Sequence, residues 1–197
     1  MLGMVFTEFL EMVEVTFSAE TVDRLLSDCN GELATGGAYT AVGNYSHDEM
    51  MVLVSRLSEM TGIPVSDLIY RSGRHLFQRF RNRYPNFFKD IDGAFPFLES
   101  VHGHIHVEVR KLYGEAKVPS LQCRRDSADR MTVVYCSDRP FAKLAHGLIE
   151  GCIAHYEDAT EVEVLAMAAD GKTATFALDR RARMPGAAGT ADADLRR

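Results

Sequence analysis

The sequence predicts an α+β fold: a helical N-terminal part, then helices packed on a small antiparallel sheet made of two hairpins. Three observations predict it. Through most of the first half, apolar residues recur at three- and four-residue steps, the signature of amphipathic helices. The second half holds two pairs of extended runs, each joined by a turn signal. One further helical run lies between those pairs, an order that argues α+β over the strand–helix alternation of a parallel sheet.

The elements follow in order. Val5, Phe6, Phe9, Leu10, Val13 and Phe17 share one face of a first helix, with Glu8, Glu11 and Glu14 on other faces. Ser18, Thr21 and Asp23 restart a second, Val22 to Leu26, that ends near Asn30-Gly31. After a Gly-rich turn, Thr35 to Tyr39, Ser46 is the expected N-cap of a helix from His47 to Met60, with Glu49 completing a capping box. Thr61-Gly62-Ile63-Pro64 stops it. A run from Ser66 to Tyr84 turns Leu68, Ile69, Leu76, Phe77 and Phe80 inward and Arg71, Arg74, Arg79, Arg81 and Arg83 outward, until Pro85 breaks it. These arginines read as a solvated face.

Leu121 to Arg125 and Met131 to Ser137 form the first expected hairpin, around Asp126-Ser127-Ala128-Asp129. Glu161 to Ala168 and Lys172 to Leu178 form the second, around Asp170-Gly171. Phe141, Leu144, Ala145, Leu148 and Cys152 recur at helical spacing between them. From Arg180 the sequence loses all periodicity, so 180–197 is expected to be a disordered tail.

With 197 residues, the chain has the size of one domain. Its 22 basic against 28 acidic residues give a net charge of -6, the wrong sign for a phosphate-backbone binder, so no nucleic acid is expected as partner. No stretch is long and apolar enough for a membrane span, and Glu8, Glu11 and Glu14 stand where a signal peptide would carry basic residues, so a cytoplasmic protein is expected. Cys29, Cys123, Cys136 and Cys152 lack metal or redox spacing and read as reduced thiols.

The residues that point to chemistry begin at His102-Gly103-His104-Ile105-His106-Val107-Glu108-Val109. As a strand, this run would put all three histidines on one face with Glu108, yet alternate residues spread over about 13 Å cannot all reach one zinc ion. As a helix, Leu98, Val101, Ile105, Val109 and Leu112 form the apolar stripe and His102 and His106 lie one turn apart. Half-exposed surface histidines on a buried helix are the bland alternative, and periodicity alone leaves these readings open. A second constellation is Tyr135-x-Ser137-x-Arg139 at the end of an extended run, where residues two apart point the same way. Two hydroxyl donors and a guanidinium in line suit an anion with several carboxylate oxygens.

The run His104 to Pro119 together with Tyr135-Cys136-Ser137-Asp138-Arg139 resembles the haem nitric oxide/oxygen binding (H-NOX) family. Met1-Leu2-Gly3-Met4-Val5-Phe6, Gly36-Gly37-Ala38-Tyr39-Thr40 and Tyr84-Pro85-Asn86-Phe87-Phe88 also look like its bacterial members. The resemblance runs to about Leu178. It implies one haem-binding domain over 1–179, with 1–64 as its helical N-terminal part, 65–179 as proximal helix and sheet, and haem b (iron protoporphyrin IX) buried between the two. It further implies that His106 is the iron ligand, that Tyr135, Ser137 and Arg139 hold the haem propionates, and that Pro119 presses the porphyrin out of plane. His102 and His104 do not match the ligand position.

The same resemblance bears on the gas. Oxygen-holding members carry a distal tyrosine where this chain has Leu144, and its supporting positions match Phe9 and Leu76. The distal side is then lined by Phe9, Leu76, Phe77, Phe80, Leu144 and Leu148, with no donor for a bound oxygen that takes up negative charge. A non-enzymatic sensor of nitric oxide, also binding carbon monoxide, is the implied function. Nitric oxide would break the bond from iron to His106, and the signal would pass to a separate histidine kinase or cyclic-di-GMP enzyme. The alternatives are an oxygen- or redox-sensing haem protein, a haem chaperone or thiol sensor using Cys152, and a zinc enzyme using His104 and His106 with Glu108 as base.

Overall fold

The structure, a computed structural model, describes residues 1–114 and 117–181. Helix α1 (Gly3–Thr16) buries Met4, Phe6, Phe9, Met12 and Val13, but also Glu8, which its place among outward glutamates did not foretell. Helix α2 (Ala19–Asp28) is longer than its apolar core suggested, because the Ser18 hydroxyl accepts from the Thr21 amide at 3.2 Å and extends the first turn.

Ser46 caps α3 (His47–Thr61) through the Asp48 amide, and Gly62, at φ 71°, closes it. Glu49 does not complete the capping box. Its carboxylate turns inward and accepts from the Thr35 and Tyr39 hydroxyls at 2.5 and 2.8 Å. The Tyr39 ring stacks on Phe6 at 4.4 Å, so the Gly-rich turn brings two donors into the core and the carboxylate follows them.

Helix α4 (Val65–Arg83) is followed by a short 3-10 turn, Pro85–Phe87. Of its arginines, Arg79 is not simply solvated: it donates to Glu8 at 2.7 Å and reaches Glu11 at 2.8 Å. The histidine run is helical. Helix α5 (Ala94–Ser100), a π turn (Val101–Ile105) and helix α6 (His106–Leu112) follow one another directly. The strand reading of this run, and with it a His-x-His face, is therefore corrected. Buried Ala94, Phe95, Phe97 and Leu98 anchor the helix at its start and carry the chain through the histidines.

Strands β1 (Ser120–Arg125) and β2 (Arg130–Cys136) form one hairpin, and β3 (Thr160–Met167) and β4 (Thr173–Arg180) the other. β2 pairs antiparallel with β4, so the hairpins join into one sheet of order β1-β2-β4-β3. β4 runs to Arg180, past the expected end at Leu178, because Asp158 grips the Arg180 guanidinium at 2.9 and 2.7 Å and that guanidinium lies over Phe95. The remainder of the expected tail, 182–197, lies outside the described residues.

Helix α7 (Ala142–His155) links the hairpins and crosses α4 with almost no space between backbones. A Cβ on Gly147 would stand 2.0 Å from the Tyr70 carbonyl oxygen, and one on Gly73 would stand 2.3 Å from that of Leu144. This crossing joins two cores. Leu68 and Ile69 of α4 belong to the core of the N-terminal helices, while Phe77, two turns on, belongs to the core between α5, α7 and the sheet. Among the described residues no helix is long and apolar enough to cross a membrane, and the four cysteines are free.

Candidate functional site

A cavity of about 260 Å³ lies between the two cores. Protein interiors are packed to crystal density and a single buried water needs only about 10–15 Å³, so a void of this size is built for a ligand. α1 contributes Met4 and Val5 to its wall, α4 contributes Leu76, Phe77 and Phe80, and α7 contributes Leu144 and Leu148. Facing groups come from α6, as His106 and Val109, and from the segment Lys117 to Pro119. Tyr135, Ser137 and Arg139 complete it.

All but one of the expected site residues thus meet around one space. Phe9 does not. It is buried in the N-terminal core and lines a smaller cavity of about 20 Å³, which shares Val5, Leu76, Phe141 and Leu144 with the large one. Phe9 lies one turn beyond Val5, about 6 Å further along α1, which carries it past the end of the large cavity.

His106 opens α6, and its Nδ1 is buried with no hydrogen-bond partner among the described residues. Burial, helped by the charges of His102 and Arg110, holds the imidazole pKa down to about 4. The ring is therefore neutral at physiological pH, the form that ligates a metal. His102 and His104 are exposed, the latter with its ring edge-on to Phe87 at 6.2 Å. Glu108 is engaged with Lys111 at 2.7 Å. Among the described residues, the one group of three metal-ligating side chains within mutual reach is Glu8, Glu11 and His75, already bridged by Arg79. His104, His106 and Glu108 form no zinc site.

The row at the end of β2 gathers hydrogen-bond donors. Strand alternation turns Tyr135 into the cavity, where burial pushes its phenol pKa up and keeps the hydroxyl protonated as a donor. The strand ends at Cys136, and the Ser137 amide donates to the Lys172 carbonyl, fixing the turn. Ser137 Oγ accepts from the Arg139 amide at 3.1 Å, which leaves its own proton free to donate, and Arg139 Nη1 donates to the Lys117 carbonyl at 3.2 Å. Among the described residues no carboxylate pairs with either Arg139 or Lys117.

Sequence reasoning did not single out Lys117, Tyr84 or Tyr113 as cavity residues. Lys117 stands two before Pro119 without periodic context, and the tyrosines end two separate helices. Only the tertiary fold brings them together. Cys152 is fully buried in the core away from the cavity lining, and burial pushes its thiol pKa up, which removes the thiolate a redox sensor needs.

An apolar cavity with one available imidazole and a cluster of unpaired donors at one end suits a flat, largely apolar, metal-bearing dianion. A family model described as haem-NO-binding (HNOB) matches residues 2–164. Among solved structures, the Fe(II) unliganded H-NOX protein of K. algicida is similar at 31% identity and TM-score 0.85, covering 93% of this chain and 98% of its own. The H-NOX of Shewanella woodyi in its Fe(II)CO ligation state is similar at 34% identity and TM-score 0.77, covering 98% of this chain and 99% of its own. The H-NOX protein of S. oneidensis in its Fe(II)NO ligation state shares the fold at 20% identity and TM-score 0.83, covering 92% of this chain and 100% of its own. A search of curated proteins returned no match. The extent of the family match and the two relatives above 30% identity show that this chain belongs to the haem-NO-binding, or H-NOX, family.

Proposed function

We propose that this chain senses nitric oxide through haem b held between its two cores, with His106 as the iron ligand, and passes the signal to a separate effector protein. The observation that carries the proposal is the neutral, largely desolvated imidazole of His106 in the wall of a mainly apolar cavity that also gathers Tyr135, Ser137 and Arg139. A neutral imidazole keeps one ring nitrogen unprotonated, and that nitrogen is what an iron ion would take as its ligand. Haem supplies a ferrous centre able to take a diatomic gas.

The chain's own residues fit the rest of the group. Leu76, Phe77, Phe80, Leu144 and Leu148 offer apolar faces to the porphyrin, and Tyr135, Ser137 and Arg139 offer charge-assisted donors to its two carboxylates. Pro119 lines the same cavity, which supports its assignment as the residue that presses on the ring. Structures of relatives with nitric oxide and with carbon monoxide bound support the choice of gas. Selectivity follows from the walls on α1, α4 and α7. Their cavity-lining side chains, Met4, Val5, Leu76, Phe77, Phe80, Leu144 and Leu148, carry no hydrogen-bond donor, so oxygen lacks the bond that would hold it.

Signalling is assigned to the release of His106. α6 carries this residue at its first position and has no buried residue of its own, so loss of the ligand bond frees it to shift. A histidine kinase or a cyclic-di-GMP enzyme is the effector class this reading favours.

The test is the absorption spectrum of anaerobically reduced protein, alone, with nitric oxide and with oxygen. Haem absorption is expected, with a nitric oxide spectrum lacking histidine ligation and no stable oxygen species. Haem-free protein, or a stable oxygen complex, would overturn the reading. His106→Gly protein supplied with imidazole is expected to bind nitric oxide yet fail to switch its effector. Switching like wild type would exclude His106 as the transmitter.

A further inference from the structure

Tyr84 and Tyr113 end the two helices that face each other across the cavity. Tyr84 is the C-terminal cap of α4, which carries Leu76, Phe77 and Phe80, and Tyr113 is the C-terminal cap of α6, which carries His106. Their hydroxyl oxygens lie 3.1 Å apart, partly buried, although 29 residues separate them in sequence. We propose that this hydroxyl–hydroxyl hydrogen bond is a latch that holds the far end of α6 against α4, so that α6 is pinned at both ends, by His106 at its start and by Tyr113 at its finish.

The two sides of the latch are unequally supported. α4 buries Leu68, Ile69, Leu76 and Phe77, and the Tyr84 ring packs against Phe80 and Phe87 with centroids at 6.4 and 5.8 Å. Neither the π turn nor α6 buries a single residue. Tyr84 is thus a fixed post and Tyr113 the end of a lightly held arm. Burial and the neighbouring Tyr113 hydroxyl push the Tyr84 pKa up to about 12, so Tyr84 keeps its proton throughout the physiological range and always has a hydrogen to donate. The phenol rings themselves line an apolar space, where the bond meets less competition from water than it would on the surface.

The consequence for signalling rests on the proposed function: once His106 leaves the iron, α6 moves only as fast as the latch yields. The latch itself is independent of that reading. A net hydrogen bond of this kind sets a scale of about two- to tenfold in an opening equilibrium or rate.

The experiment compares Tyr84→Phe, Tyr113→Phe and the double variant with wild type, all as the purified full chain. Phenylalanine keeps the ring and its packing and removes only the hydroxyl. Amide hydrogen exchange over residues 106–112 is expected to quicken about two- to tenfold in each single variant, and no further in the double, because both lesions break one bond. Exchange in α1 and β4 is expected to stay unchanged, which a general loss of stability would not allow. Unaltered exchange over 106–112, an equal increase everywhere, or additive effects of the two lesions would each overturn the latch. In haem-loaded protein the rate at which His106 leaves the iron after nitric oxide addition is expected to rise by the same factor, and an unchanged rate counts against the latch. If His106 never leaves the iron in wild type, the sensing proposal fails, while the exchange data still decide the latch.

Discussion

The proposed function gives the wild-type protein no stable oxygen complex, and replacing Leu144 with tyrosine is expected to create one. Leu144 lies on α7 where the large cavity and the small one share a wall, which is where the proposed function puts the gas ligand. Bound oxygen takes up negative charge, and a hydroxyl aimed at it contributes about 1.5–3 kcal/mol, roughly 10- to 150-fold in affinity. The larger ring costs about 1–3 kcal/mol where a core is tightly packed. One competitor for the new hydroxyl is visible. Glu8 is buried and lines the small cavity beside Leu144, so a phenol turned that way would donate to its carboxylate and be lost to the gas. Leu144→Tyr should therefore be measured alone and with Glu8→Gln, reading the absorption of reduced protein during an oxygen titration. Carbon monoxide affinity, which depends little on a donor, reports whether the pocket is intact. If neither protein binds oxygen while haem content and carbon monoxide affinity match wild type, the donor argument is wrong.

Three further outcomes follow from the packing. Arg79→Met strands the Glu8 carboxylate, and since the Arg79 side chain is itself 40% exposed, the loss should be about 1–3 kcal/mol in urea unfolding, below that of a fully buried pair. Adding Glu8→Gln should recover part of it. Gly147→Ala forces a methyl to 2.0 Å from the Tyr70 carbonyl, backbone against side chain with no room to yield, and should cost about 3 kcal/mol or more in thermal unfolding, whereas Gly103→Ala, with nothing within 4 Å, should change stability by less than about 0.5 kcal/mol. Burial alone would raise the Asp158 pKa, but two bonds from Arg180 and one from the Thr160 hydroxyl outweigh it and hold the carboxyl below its ordinary range. Its contribution to stability is then complete above about pH 4 and lost as pH falls through the depressed native value, so the urea midpoint of wild type should drop more steeply below pH 4 than that of an Asp158→Asn, Arg180→Met double variant. Parallel slopes would contradict this.

What could be read from sequence was local or strictly spaced. The Ser46 cap and the Gly62 stop depend on a few adjacent residues and appear as their patterns require, whereas strand alternation accounts only for Tyr135 of its row, because β2 ends at Cys136 and a turn places Ser137 and Arg139. What escaped depended on partners far away in the chain. Glu8 shows the same polar pattern as Glu11 and Glu14, and only Arg79, from a different helix, explains how it can be buried. Glu49 satisfies a local capping rule, yet two hydroxyls delivered by the Gly-rich turn outcompete a single backbone amide. No residue pattern distinguishes a π turn from an α turn, so the break at Val101–Ile105 carried no advance signal.

That break explains why the histidine run supported both helical and extended readings, and why it suits a moving part. The run from Ala94 to Leu112 is held firmly at one end only. Phe95 is fully buried and lies beneath the guanidinium groups of Arg125 and Arg180, at 5.2 and 4.5 Å, and these are tied in turn to Glu99 and Asp158. From the π turn onward the apolar stripe of Val101, Ile105 and Val109 is only half-buried, while His102, His104, Arg110 and Lys111 are exposed. The shallow burial of that stripe is a missing source of local stability. An element so weakly packed takes its position from whatever holds its ends. A coupling of about 1–3 kcal/mol, typical of allosteric ligands, is small beside the burial of α5, whereas α6 buries no residue, so under the proposed function a change of ligation at His106 would move α6 without disturbing the fold that carries it.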